Sequence, residues 1–284
     1  MKKRRCLAGV IKYTLWQYEK RTNNWVEKMK DMIYRYMRYT EFRYMLVYNS
    51  LIFRYPGNWP DQLEALILRY MRSKEKVTEL VKYCRKIHPE WSEGGLGTGI
   101  AVMLTLMLKT RCQCWTKKED DLVLWNDRNC IDSVCVGVKS SVFDDYPYEE
   151  NRLKHRNIIY KEKVDLEALF EQFSMYERKL SVPLSVKKEV FSYEDEHRLF
   201  LIPEDHGANY NAHGDTLEDF LIMHFNNIYD ELGTEDEIAK FDINNIISVR
   251  THPNSNKEFV KLVEHDCKMH GINNAFKGKS DLLD

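Results

Sequence analysis

Apolar residues recur at helical spacing through the first part of the chain. Beyond residue 122 they give way to short β-branched runs. Leu7, Val10, Ile11, Leu15, Tyr18, Trp25 and Met29 predict helix over 7–30, with a break at Thr22-Asn23-Asn24. A short strand is expected over 32–36. Thr40 is placed to cap a helix running to about Asn49, and a second strand over 51–54 ends at Pro56-Gly57. Residues 61–70 and 74–87 have helical periodicity, and Pro89 stops the second.

The stretch "WSEGGLGTGIAVMLTLMLKT" joins glycines to an apolar run. It lacks the Gly-Lys-Ser/Thr of a phosphate loop, so it is read as a loop feeding a buried helix. Residues 111–116 predict a strand. From 122 the segments "LVLWNDRN", "SVCVGVKSS", "NIIYKEK", "EVFSYEDEHRLFLIP" and "NIISVRTHP" carry β signals, the fourth ending at Pro203. Helical patterns cover 166–180 and 258–269, the second ending at Gly271, while 217–232 reads as helical or irregular and 206–215 is a loop. The class is α+β: a mixed, mainly antiparallel sheet of short strands with flanking helices. Residues 1–29 form a helical N-terminal extension and 30–284 one domain.

Composition narrows the picture. Apolar residues make up 43% of the 284, enough for a core. The longest apolar run, 100–108, is far short of the roughly 20 residues a membrane span needs. The basic start, 1–5, is followed by a short mixed stretch, so no secretory signal is expected. Seven scattered cysteines read as reduced thiols of a cytoplasmic protein. The net charge of −1 conceals an imbalance: residues 1–90 hold 20 Lys+Arg and 9 Asp+Glu, and residues 91–284 hold 23 and 35. A basic third suits an anionic ligand or an oppositely charged partner, although taken by itself the asymmetry is better read as a solvated helical surface.

Candidate chemistry concentrates in Tyr193-Glu194-Asp195-Glu196-His197-Arg198. On a strand that begins early, Glu194, Glu196 and Arg198 share a face, and Asp195 and His197 point the other way. Two carboxylates on one face need cations, donors or a task. An exposed Glu–Arg pair is the plain reading. The functional one is glycosyl transfer, with one carboxylate facing positive charge at a sugar carbon and the other accepting a proton. Metal ligation has little support. Cys112/Cys114 and Cys130/Cys135 lack zinc spacing, His265, Cys267 and His270 share no helical face, and His206 and His213 flank a loop. Aromatic and basic residues alternate from Tyr34 to Tyr55, as suits stacking on bases with Arg holding phosphate, or simply a packed core with Arg outside.

In order, "YRYMRYTEFRYMLVYNSLIFRYPGNWPDQLE", "CQCWTKKEDDLVLWNDRNCIDSVCVGV", "FSYEDEHRLFLIP" and "IISVRTHPNSNKEF" resemble the motifs of a widespread bacterial family of uncharacterised proteins with a Tyr-Glu-x-Glu-x-Arg signature. Asp61 and Glu64 stand where that family has an acidic pair, and the resemblance covers about 30–272. The order of basic-aromatic strand, Ser/Thr strand and Glu-x-Glu strand is in turn similar to the NAD-binding core of ADP-ribosyltransferases. That likeness implies NAD as co-substrate, with Arg35 on its phosphate or ribose and Thr116, after Trp115, as the second-motif hydroxyl. Glu196 would stabilise the sugar cation, Glu194 would orient or deprotonate the acceptor, and Tyr193 or Tyr36 would stack on nicotinamide, with Arg198 closing the signature. It further implies a toxin of phage defence or of a toxin–antitoxin system. The acceptor would be RNA, DNA or protein, and an antitoxin or chaperone would be a partner. A non-catalytic nucleotide- or nucleic-acid-binding module and an NAD glycohydrolase are the alternatives.

Overall fold

A computed structural model of the chain describes residues 31–59, 63–127, 130–144, 151–170, 184–203, 214–232 and 235–283. The expected helix over 7–30, the 29/30 boundary, Asp61, His206 and His213 lie outside these residues, as does 171–180 of the helix expected over 166–180. Eleven strands are described. They are β1 (Met32–Arg38), β2 (Ser50–Phe53), β3 (Arg111–Thr116), β4 (Ser133–Lys139), β5 (Asn151–Asn157), β6 (Ile159–Lys161), β7 (Val186–Lys188), β8 (Glu196–Pro203), β9 (Glu237–Lys240), β10 (Ser248–Thr251) and β11 (Phe276–Lys279). Seven form one sheet in the order β11-β10-β4-β1-β3-β8-β5. Every pairing in it is antiparallel except β10 with β11. The small sheets β2–β9 (antiparallel) and β6–β7 (parallel) lie outside it. The α+β class and the mixed, mainly antiparallel sheet with helices therefore stand.

Side-chain alternation gives the sheet two unlike faces. Ile33 and Met37 of β1, Val134, Val136 and Val138 of β4, and Leu199 and Leu201 of β8 point to one face. There they pack with Phe42 and Leu46 of the helix Tyr39–Tyr48 and with Phe259 and Val263 of the helix Lys257–Met269. On the other face, Cys112 and Phe200 pack under the helices Lys74–Ile87, Glu93–Lys109 and Leu217–Leu232. Farther along that face, Tyr34, Tyr36 and Cys135 pack with Trp125. Between these two apolar patches it carries Cys114, Thr116, Glu196 and Arg198, the polar strip that builds the site. No helix of the described residues is long and apolar enough to cross a membrane.

Several expected elements differ in detail. Thr40 does not cap the first helix: Arg38 is the N-cap, with no side-chain hydrogen bond. The glycines at 94–97 lie inside the helix Glu93–Lys109, because the Ser92 hydroxyl accepts from Gly95 N at 3.2 Å and starts the helix ahead of them. "LVLWND" is a helix (Leu122–Asp127) rather than a strand, since Asp121 Oδ1 accepts from the amides of Val123 and Leu124. "NIIYKEK" is split: Ile158 N donates to Glu196 O and Ile159 N to Ser185 O, so the chain leaves β8 for β7 at that point. The helix expected over 61–70 begins only at Leu66, because Ala65 is left-handed (φ +54°). The strands β9 and β11 carry no clear sequence signal.

Gly137 is required by a close approach. A Cβ there would lie 2.7 Å from Tyr34 Cε1 and 3.1 Å from Ser248 Cβ on the neighbouring strands. Gly137→Ala is expected to destabilise the fold by about 1–3 kcal/mol, read as a lower denaturant midpoint with unchanged slope.

Candidate functional site

Cross-strand register places Thr116 opposite Glu196 and Cys114 opposite Arg198 on the polar strip. Arg198 is 1% exposed and Glu196 3%, so each needs a charged partner. Arg198 Nε donates to Glu196 Oε1 at 2.7 Å, Nη2 to Glu64 Oε2 at 3.1 Å and Nη1 to the Leu184 carbonyl at 2.6 Å. Lys187, brought in by β7, lies with its Nζ 2.9 Å from Glu64 Oε1, 3.4 Å from Glu196 Oε2 and 2.7 Å from Glu194 Oε2. Glu196, Arg198, Glu64 and Lys187 thus form a closed ring of alternating charge, with Glu194 attached to the lysine. The guanidinium carbon of Arg198 lies 4.4 Å from the Trp59 ring centroid.

Two left-handed residues aim the carboxylates. Ala65 (φ +54°) follows Glu64, and Asp195 (φ +41°) separates Glu194 from Glu196. The second corrects the expected geometry: Glu194 ends a 3-10 turn (Glu189–Glu194), β8 starts at Glu196, and the two glutamates do not alternate along one strand. They meet through Lys187 instead. Backbone strain of this kind is retained where surrounding contacts over-determine it. Here Thr116 Oγ1 donates to Glu194 O at 2.5 Å, Lys117 N to Asp195 O at 3.1 Å, and Glu196 N to Tyr160 Oη at 2.8 Å.

The carboxylates lie in unlike fields. Burial drives Glu196 upward, but Arg198 and then Lys187 outweigh it, helped by a hydrogen bond from the Cys114 thiol, and hold it down to about 2. Glu194 is raised, by burial that Lys187 only partly offsets. Burial lowers Lys187, yet Glu196, Glu64 and Glu194 together raise it, so it stays charged. Cys114 is raised well above the usual thiol range, by burial first and then by Glu196, and is a thiol rather than a nucleophilic thiolate.

The ring borders a cavity of about 770 Å³, within the range of small-molecule sites. Six of the eight residues singled out in the sequence border it: Arg35, Tyr36, Trp115, Thr116, Glu194 and Glu196. Two of these turn their side chains to the opposite sheet face. Arg35 Nη2 lies 3.6 Å from Glu41 of the helix Tyr39–Tyr48, and Trp115 packs in the core there, its indole donating to Gln113 Oε1 at 2.8 Å. Strand alternation forces this, because Thr116 and Tyr34, their neighbours in sequence, face the cavity. Tyr36 is edge-on to Trp125 at 4.7 Å, with its hydroxyl accepting from Asp121 N. Tyr193 packs on that cluster with its hydroxyl 3.4 Å from Asp127 Oδ2. Arg198 stands behind the wall. Sequence reasoning assigned no role to Glu64, which it had only as half of an acidic pair, and passed over Lys187, Trp59 and Phe191. Lys187 carries no local signal at all. Cys267 is buried in the core while His265 is exposed, and no group of three metal-binding side chains occurs among the described residues.

On the back of β8, His197 Nε2 lies 2.9 Å from His155 Nδ1, and its Nδ1 lies 2.8 Å from Asn157 Oδ1. Burial first, and then the charges of His155 and Lys117, lower His197 to about 4. Compared with known protein families, curated proteins and solved structures, the chain matches none.

Two outcomes are expected. Lys187→Met leaves three carboxylates around a lost cation and destabilises the fold by about 3–5 kcal/mol in urea unfolding. Acid weakens the fold in two stages. From the ordinary value of 6.5 down to about 4, the unfolded chain protonates His197 and the folded chain does not, so stability falls as pH drops. The loss is about 3 kcal/mol, and His197→Gln removes that stage from the pH profile. From 4.5 toward about 2, protonation of Glu196 opens the ring and stability falls again.

Proposed function

We propose that the cavity is the active site of an ADP-ribosyltransferase-like domain that cleaves the N-glycosidic bond of NAD and transfers ADP-ribose to a nucleic acid or protein acceptor. The observation that carries this reading is a pair of carboxylates on one cavity wall whose proton affinities are pushed apart: Glu196 is held ionised and Glu194 is raised. Paired carboxylates with divided roles are what glycosyl transfer uses.

In the proposed step the C1′–N bond breaks and its electron pair leaves with nicotinamide. Glu196 faces the positive charge that grows on C1′. An acceptor hydroxyl bonds to C1′ and gives its proton to Glu194, the better proton acceptor of the two. Thr116 acts on Glu194 through the backbone, a positioning role. The Arg35 guanidinium lies beside Glu41 on the far face of the sheet and is given no step in this reading. The Lys and Arg excess over residues 1–90 suits a nucleic-acid acceptor or an acidic antitoxin or chaperone, in phage defence or a toxin–antitoxin setting.

The test is nicotinamide release from NAD by the full chain. Glu194→Gln, at a side chain 21% exposed, is expected to keep the fold and lower the rate about 100-fold. Glu196→Gln is expected to lower it at least as much, with circular dichroism reporting whether the ring survives. An unchanged rate in folded Glu194→Gln overturns the assignment. Intact NAD in the presence of the unaltered chain points instead to a binding module.

A further inference from the structure

We infer that the cavity recognises its ligand by positive charge on an N-ribosylated aromatic ring, the nicotinamide riboside end of NAD being one such group, and not by phosphate. The inference rests on the reading just given, in that it takes the cavity to hold the glycosyl donor.

The charge count carries it. Among the described residues Glu64, Glu194 and Glu196 pair with Lys187 and Arg198 alone, so this described cluster holds one more carboxylate than cations. The excess falls on Glu194. It has no contact with Arg198 and shares Lys187 with two other carboxylates, and its side chain is the most open of the three. Asp127 adds a fourth carboxylate to the wall. Among the described residues the wall offers no cation to balance these. Lys187 and Arg198 are committed to the ring, and Arg35 lies with Glu41 on the other face. A phosphate placed here would meet surplus carboxylate in a partly desolvated space, whereas a cation supplies the missing partner.

The aromatic lining agrees. Tyr34, Tyr36, Trp59 and Phe191 border the cavity, and two of these rings already have cations on their faces. Arg198 lies on Trp59, and the Lys187 ammonium is 4.9 Å from the Phe191 centroid. A flat cationic ring fits such a wall through its charge and its stacking surface together. Its ribose carbon would then lie beside the Glu194–Glu196 pair. Hydrolysis of such a riboside balances without any further reactant. The C1′–N bond breaks with its electrons on the leaving ring, water oxygen bonds to C1′, and the released proton passes to Glu194.

The experiment compares binding of nicotinamide riboside with that of its 1,4-dihydro form, which has nearly the same shape and no positive charge. Calorimetry on the full chain near neutral pH is expected to give at least about tenfold tighter binding of the cation. Its affinity should fall with added salt while that of the neutral form does not, and ADP-ribose should not compete with it. Folded Glu194→Gln should shrink the ratio. If that variant does not fold, the salt dependence of the unaltered chain decides. Equal affinity for the two forms, or competition by ADP-ribose, overturns the inference. Charge-selective binding with no nicotinamide release refutes the catalytic reading alone. Nicotinamide release with no preference for the cation refutes this inference alone.

Discussion

Four ionised side chains withdrawn from water impose the strictest condition on this fold. An isolated buried charge costs far more than a folded domain has to spare, so Glu196, Arg198, Glu64 and Lys187 are tolerable only as a set. Each carboxylate of the ring touches both cations and each cation both carboxylates, at 2.7–3.4 Å. The strands β3, β7 and β8 and the segment at Glu64 must therefore be in register together. Removing any member takes one of two partners from each of its neighbours and leaves the buried ring with an unbalanced charge.

The same condition explains the division of the sheet. The face covered by the helices Tyr39–Tyr48 and Lys257–Met269 is packed largely with aliphatic and aromatic side chains. The other face is apolar at its two ends and charged between them, and the cavity occupies that interval. Hydrophobic packing at the ends fixes the strands, and the ring spans the gap. Left-handed Ala65 and Asp195 are local costs accepted because they deliver Glu64, Glu194 and Glu196 to one point. On the back of β8, His197 is pinned by His155 and Asn157, so the strand that carries Glu196 and Arg198 is held from both sides.

Much of the fold was legible where the local signal was strong and self-consistent. The strand Arg111–Thr116 and the helix Lys74–Ile87 lie where periodicity puts them, and Leu217–Leu232, which reads as helical or irregular, is helix. Misreadings fell where a side chain overrode the pattern. Asp121 caps "LVLWND" into a helix within a stretch where β signals dominate, and Ser92 begins a helix ahead of glycines that read as a loop. The site was legible in part. Glu194, Glu196 and Thr116 border one cavity. Arg35 and Trp115 do so only as strand neighbours, because the pleat turns their side chains away.

The sequence by itself determined the α+β class, the alternation that gives the sheet two unlike faces, and the concentration of acidic and basic groups at residues 193–198. These follow from spacing along a few residues, which needs no knowledge of the rest of the chain. Only the tertiary structure decided which charges become partners. Glu64 lies more than a hundred residues before Arg198, and Lys187 stands in a short strand without any distinguishing pattern. Their meeting depends on strand order and on two backbone inversions, and neither leaves a periodic trace in the sequence. A buried charge chooses partners by distance in three dimensions, so the ring exists only once the sheet has closed around it.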